Sequence, residues 1–267
     1  MNYDSFSDDY DRFVNWNERL AFELPFFTKQ LAALQPEAGQ AQAGQSRLRV
    51  LDSACGTGMH AIALARQGYA ACGADLSGGM VARSRANAAS AGVDTPFFEA
   101  GFGQLAETLT SAALLPCDAL LCLGNSLPHI LSPEVLQASL RDFAACLRPG
   151  GLLVIQNRNF DAVLVHRERW MEPQSAREGD GEWLFLRFYD YRPDGCIDFN
   201  IVTLKRTGAG SWKQSITTTA LYPLRQAELL PALDAAGFTD LTCYGSLNGA
   251  PYDPQSSGNL VVTARRK

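Results

Sequence analysis

Between Asn15 and Leu34 apolar residues return every three or four positions, at Leu20, Leu24, Phe27, Leu31 and Leu34, which predicts a helix. From Pro36 to Ser46 the period lapses into Ala, Gln and Gly, the composition of a linker. The chain then alternates short apolar runs with segments of helical period. Arg49–Asp52, Ala70–Asp75, Pro96–Glu99, Ala119–Leu123 and Leu152–Gln156 read as five strands. Met59–Gln67, Gly79–Ala91 and Pro133–Leu147 are the clearest helices among them. Pro149-Gly150-Gly151 supplies a turn that stops the last of these and starts the fifth strand.

After Asn157 the period changes to two. Trp183–Tyr191, Cys196–Arg206 and Ser211–Leu221 alternate as half-buried strands, separated by Pro193-Asp194-Gly195 and Gly208-Ala209-Gly210. Gln226–Ala236 returns to helix and stops at Gly237, and Asp240–Tyr244 and Leu260–Ala264 close the chain as strands. Repeated strand–helix alternation predicts an α/β fold, a doubly wound and mostly parallel Rossmann-like sheet whose ligands lie at the carboxyl ends of its strands. Residues 160–222 read as an antiparallel β cap inserted after the fifth strand, placed to exclude water from that end. The expected organisation is a helical segment and linker at 1–47, a Rossmann-like unit at 48–159 and 223–267, and the cap at 160–222.

The first strand runs into a glycine turn, Val50-Leu51-Asp52-Ser53-Ala54-Cys55-Gly56-Thr57-Gly58, with a carboxylate where they meet. Gly56 and Gly58 let the backbone bend tightly and approach a ligand closely. With Ala61 they also fit the dinucleotide fingerprint, a weak signal alone. Asp52 is the discriminating residue. It would repel a pyrophosphate and attract a cation, and S-adenosylmethionine carries a sulfonium and an ammonium but no phosphate. Charge therefore favours the methyl donor over NAD, with S-adenosylhomocysteine as its product.

Asp75 ends the second strand some twenty residues after the turn, where an acid commonly holds ribose hydroxyls; the alternative is an N-cap for the helix near Ser77. At the end of the third strand Gly101 stands where an acid often meets the adenine amine, and Phe102 beside it offers an aromatic face. The fourth strand ends in Cys122-Leu123-Gly124-Asn125-Ser126-Leu127-Pro128-His129. Gly124 permits close approach, and Asn125 offers donors and an acceptor beside the reacting centre. His129 either donates to the cofactor carboxylate or satisfies a loop carbonyl. Arg158 follows the fifth strand, either as an anion-binding fork or as a surface ion pair. Trp183, Phe185, Tyr189 and Tyr191 share one strand face and read as core rather than as a cage for a methylated ammonium.

The chain has 267 residues, 46% hydrophobic and 19% charged, enough for one large α/β unit with an insertion. A net charge of −5 without a dense basic segment argues against nucleic acid as partner. No run of about 18 apolar residues exists, so no membrane span is expected. Met1–Asp9 is polar and lacks the apolar stretch of a signal peptide. Seven scattered cysteines, without a C-x-x-C pair and with three histidines, suggest reduced thiols, no metal site and a cytoplasmic location.

Taken together these residues resemble the class I S-adenosylmethionine-dependent methyltransferases, and within them the glycine and glycine/sarcosine N-methyltransferases. The resemblance rests on Leu51–Gly58, on Leu123-Gly124-Asn125-Ser126 within Cys122–His129, and on Arg148–Asp161 with its Asn157-Arg158-Asn159-Phe160-Asp161. Weaker matches lie at Trp16–Arg19 and Leu221–Leu224. It implies a seven-stranded sheet and methyl transfer to a small-molecule acceptor, the amine of a compact carboxylate-bearing metabolite such as glycine or sarcosine. It implies that Arg19 contacts the methionine carboxylate of the cofactor, with the backbone at Ala54, Gly56 and Leu123 along its methionine moiety. Tyr10 and Leu76 complete the expected cofactor contacts, beside Asp52, Gly58, Asp75, Gly101, Phe102, Gly124 and His129. Arg158 matches the arginine that grips the acceptor carboxylate, Tyr222 matches an active-site tyrosine, and Tyr252 a further one. Asn125, Arg158 and Tyr222 are thus the candidate catalytic residues. The segment from Ala162 to Leu221 departs from the family in length and aromatic content. Two other classes compete with this reading: an NAD-dependent oxidoreductase, which leaves Asp52 unexplained, and a non-catalytic module that binds the methyl donor.

Overall fold

The structure, a computed structural model, describes residues 7–34 and 47–267. The expected linker at 36–46 lies outside the described residues. The chain opens with two helices, α1 (Ser7–Phe13) and α2 (Trp16–Ala32), the second capped by the Asn15 side chain on the Glu18 amide. The buried stripe of α2 is Trp16, Glu23, Phe26, Phe27 and Leu31, with Leu24 and Leu34 at its edge. A buried glutamate within an apolar stripe marks a functional contact, taken up below.

Five parallel strands follow: β1 (Arg49–Ser53), β2 (Ala70–Asp75), β3 (Phe97–Glu99), β4 (Cys117–Cys122) and β5 (Leu147–Arg158). They alternate with α3 (Met59–Arg66), α4 (Gly78–Ala91), α5 (Leu105–Ser111) and α6 (Pro133–Cys146). The last strands, β10 (Phe238–Tyr244) and β11 (Asn259–Arg266), complete a seven-stranded sheet in the order β10-β11-β5-β4-β1-β2-β3. Only β11 runs against its neighbours. The predicted mostly parallel, seven-stranded architecture is therefore the one observed.

Alternation along β4 divides the core. Leu120 and Cys122 face α5, α6 and the helix α8 (Gln226–Ala235), whereas Ala119 and Leu121 face α2, α3 and α4. Both faces are covered, which is why these strands read as continuous apolar runs. The fifth strand differs from expectation at its start. Leu147 already pairs with Cys117, so Arg148-Pro149-Gly150-Gly151 forms an irregularity within β5 instead of a turn before it.

The antiparallel cap lies between β5 and α8. It is entered through α7 (Phe160–His166) and consists of β6 (Gln174–Glu178), β7 (Gly181–Tyr191), β8 (Ile197–Thr207) and β9 (Lys213–Leu221) in that order. The last three correspond to the predicted strands, and β6 adds to the free edge of β7. Trp183, Phe185 and Tyr189 are buried, as a core reading requires. The Tyr191 hydroxyl donates to the carbonyls of Val163 and Glu168. All seven cysteines are free thiols. Among the described residues there is no helix long and apolar enough to cross a membrane and no cluster suited to a metal ion.

Candidate active site

The strand order reverses between β1 and β4, and such a switch point opens a crevice at the carboxyl ends of the strands. Here the crevice is a cavity of about 1040 Å³. Its walls come from α1, the glycine turn, the ends of β2, β4 and β5, and the cap strands β7 and β8. Tyr10, Arg19, Ala54, Gly56, Asp75, Leu76, Gly101, Phe102, Gly124, Asn125, His129 and Arg158 all line it. Asp52 and Leu123 line a smaller recess beside it, which shares Tyr10, Arg19, Ala54, Gly56 and Gly124 with the main cavity.

The turn is built by backbone conformation. Ala54, Gly56 and Gly58 all have positive φ, at 58°, 55° and 80°. For Ala54 this left-handed geometry costs roughly 1–2 kcal/mol, strain of the kind that concentrates at functional sites. A Cβ on Gly56 would meet only the Tyr10 ring, at 3.7 Å, so the turn leaves an open cradle below that ring. Gly58 differs from expectation. It lines neither space, and a Cβ there would lie 2.7 Å from Phe97 and Ser84. It is glycine so that α3 can pack.

Asp75 holds the turn in place. One carboxylate oxygen accepts from the Gly56 amide at 2.8 Å and the other from the Ser77 amide at 2.9 Å. The N-cap of α4 is Ser77 itself, which accepts from Met80, so the capping alternative for Asp75 is set aside. Asp52 is buried beside it, and its Oδ2 has no hydrogen-bond partner. Burial, reinforced by the Asp75 carboxylate, pushes the Asp52 carboxyl up to about 8. A carboxyl raised this far favours its protonated form near neutrality, and a cation beside it would favour the charged form.

Arg19 reaches the cavity from α2. Its Nε donates to Glu23 at 3.0 Å, and the other Glu23 oxygen lies 2.6 Å from His60 Nε2. Burial opposes the Glu23 charge, but His60 and Arg19 outweigh it and keep its carboxyl below the ordinary range. This explains the buried glutamate in the α2 stripe, which sequence reading passed over. Gly124 has φ of 71° and a Cβ there would point at Arg19, 3.9 Å away. Asn125, also left-handed at 64°, accepts from the Arg158 amide at 2.9 Å. Its side-chain oxygen thus fixes the strand end, a structural task the sequence did not reveal. Burial holds His129 down to about 4, so at neutral pH it presents an uncharged ring.

Arg158 faces the cavity and at the same time pairs with Glu168, at 2.7 Å. The two tyrosines expected near the acceptor do not line the cavity. The Tyr222 hydroxyl donates to Glu228, and its ring packs on the core beside α8. The Tyr252 hydroxyl donates to Asn159 and Asp161, bracing the segment that follows β5. Both are spent on internal contacts. Conversely, Arg187, Tyr189, Phe199 and Met171 line the cavity from the cap. The signal available for Arg187 was a single cation in the run Trp183, Phe185, Arg187, Tyr189, Tyr191 on one strand face.

Helix α1 crosses this space. Asp11 accepts from Trp16, Thr57, Arg83 and Asn87, anchoring the helix to the Rossmann-like unit. Arg12 pairs with Glu178 and lies over Trp183, and Phe13 meets Phe185 edge-on, so the neighbouring residues grip the cap.

In sequence and in fold the chain is similar to methyltransferases that use S-adenosylmethionine. Residues 50–151 match the family model described as "Methyltransferase domain". The chain is 27% identical over 242 residues to a glycine/sarcosine N-methyltransferase of Aphanothece halophytica, spanning 91% of this chain and 81% of that one. It is 29% identical over 163 residues to the enzyme of the same description from Halorhodospira halochloris, where the match spans 61% of this chain and 55% of the relative. In fold it superposes on a sugar N-methyltransferase from Streptoalloteichus with a TM-score of 0.69 at 21% identity, covering 100% and 94% of the two chains.

Proposed function

We propose that the chain transfers the methyl group of S-adenosylmethionine to the amine of a small molecule that also carries a carboxylate. The observation that carries this reading is one continuous cavity lined both by a turn suited to a cationic nucleoside and by Arg158. The fit of the donor is supported by the open cradle at Gly56, the unpartnered buried oxygen of Asp52 and the Asp75 carboxylate at a strand end. In this reading Asp75 holds the ribose hydroxyls, Asp52 faces the cationic end, Arg19 takes the carboxylate, and Gly101 and Phe102 border the adenine. Bound there, S-adenosylmethionine supplies a methyl group already made electrophilic by its sulfonium.

The work left to the chain is alignment. Orientation of two reactants in a closed site contributes roughly 7–11 kcal/mol. The residues around Gly124 and Asn125 border the meeting point, and the cap with α1 shields it. An amine attacks only as the free base, so its proton leaves before transfer. The names of the sequence relatives make glycine and sarcosine the first acceptors to test. Radiolabelled methyl transfer to a panel of amines, with and without a carboxylate, decides the reading. Amine-dependent formation of S-adenosylhomocysteine supports it, and label appearing only on hydroxyl or carbon acceptors overturns it.

A further inference from the structure

Two guanidinium groups that line the cavity near one another, Arg158 and Arg187, are in different electrostatic states. Arg158 is matched by Glu168, 2.7 Å away. Arg187, at the centre of β7 opposite Ile201 of β8, pairs with no carboxylate among the described residues. Its Nη2 makes one long contact to the Glu172 carbonyl, at 3.5 Å. Its guanidinium lies 5.0 Å from the Phe13 ring centroid, and its Nε is buried without an acceptor. A cation withdrawn from water with an unsatisfied N–H is costly unless something compensates it. Burial and the nearby positive charge of Arg158 both work against its protonated state.

The surroundings of Arg187 are apolar. Met171, Tyr189, Phe199 and Ile201 line the cavity beside it on the cap, while Leu131 and Val135 line it from the segment after β4. Leu131 and Val135 are 49% and 53% exposed, so part of this lining is open apolar surface. A two-carbon amino acid would leave this wall wet. Pockets that bury one drug-sized ligand run from about 300 to 1,000 Å³. A cavity of about 1040 Å³ lies at the top of that range and has room for a second small molecule beside a nucleoside donor.

We propose, resting on the amine-acceptor reading above, that Arg187 is the anion-binding residue for the acceptor and that the acceptor is an amino acid-like amine with a bulky apolar body. The carboxylate completes the hydrogen bonding of Arg187, and the apolar body covers the wall made by the cap and the segment after β4. Arg158 is already neutralised by Glu168 and, as long as that pair holds, contributes less to anion affinity.

Calorimetric titration of the chain saturated with S-adenosylhomocysteine tests this with three probes: phenylalanine, phenethylamine without the carboxylate, and glycine without the apolar body. Phenylalanine should bind about tenfold or more tighter than either of the others, the effect of a charge-assisted contact. Arg187→Met should bring phenylalanine to the level of phenethylamine while phenethylamine itself is unaffected, and Arg187→Lys should recover part of the difference. A purely structural Arg187, acting through Phe13, would instead weaken all three probes together. Equal losses for phenylalanine and phenethylamine, glycine binding as tightly as phenylalanine, or no binding of phenylalanine each overturn the proposal. Methyl transfer assays on the same probes separate the two readings. Transfer to glycine in preference to phenylalanine keeps the amine-acceptor reading and removes this one; the predicted binding pattern without transfer to any amine overturns both.

Discussion

The carboxylate of Glu168 sits 2.7 Å from Nη2 of Arg158, which lines the cavity in which the acceptor amine is proposed to react. Both side chains are about one-third exposed, so the pair contributes no more than about 1 kcal/mol to stability. Its effect on charge is larger. Glu168→Gln frees the guanidinium and should lower the Michaelis constant for a carboxylate-bearing amine several-fold, leaving that for a neutral amine unchanged. The melting temperature should stay within a few degrees of the native value. A rise in the Michaelis constant would show that Glu168 itself receives the amine.

Asp75 ties the turn to β2 through two amides and, in the proposed function, also holds ribose. Charge-assisted hydrogen bonds contribute roughly 1.5–3 kcal/mol each. Asp75→Ala should therefore weaken S-adenosylmethionine binding at least about tenfold. Asp75→Asn keeps an acceptor oxygen for the turn and should fall between the two. Calorimetry with S-adenosylhomocysteine checks both, and an unchanged dissociation constant for Asp75→Ala removes the ribose assignment.

Gly124 combines a φ of 71° with a direction of approach toward Arg19. A β-branched residue there is strained in the backbone and fills the space beside the guanidinium. Gly124→Val should abolish cofactor binding while far-UV circular dichroism remains native. Equilibrium dialysis with labelled cofactor is sufficient to decide.

Asp52 gives a pH dependence of defined sign. Its carboxyl lies near 4 in an unfolded chain and is raised to about 8 in the fold, by burial first and by Asp75 second. The native state thus holds a proton that the unfolded state has lost, so the stability from Asp52 is complete below about pH 4 and declines until about pH 8. Asp52→Asn should flatten that part of the profile of melting temperature against pH. A cationic cofactor favours the ionised form, so binding below about pH 8 should release protons and strengthen as pH rises. Calorimetry in buffers of different ionisation enthalpy measures that release; proton uptake on binding would contradict the assignment.

Much of the fold was legible because β1, β2 and β4 are covered on both faces and separated by helices long enough to show their period. The helices α1, α5 and α7, each of seven residues, complete barely two turns and leave no such trace. The site divides in the same way. Asp52, Gly56, Asp75 and Gly124 belong to strand ends, where position in the chain fixes position in space. Tyr222 and Tyr252 failed to reach the cavity because Glu228 and the Asn159–Asp161 segment compete for their hydroxyls, partners that chain spacing does not reveal. Arg187 was hidden by its neighbours. On an aromatic strand face a lone arginine looks like a surface exception until the strand is laid over a cavity.

Helix α1 ties the two halves of the molecule together, with Asp11 fastened to the glycine turn and α4 while Arg12 and Phe13 are fastened to the cap. A seven-residue crosspiece of this kind gives the proposed donor and acceptor sites one door. In the proposed function the contacts that hold the cap down also hold Tyr10 over the donor, so a molecule seated against β7 and β8 should tighten binding of the one beneath α1. Reciprocity requires the donor to favour the acceptor by the same factor in affinity. Under that proposal the ion pair of Arg12 with Glu178 should make release of the donor sensitive to salt.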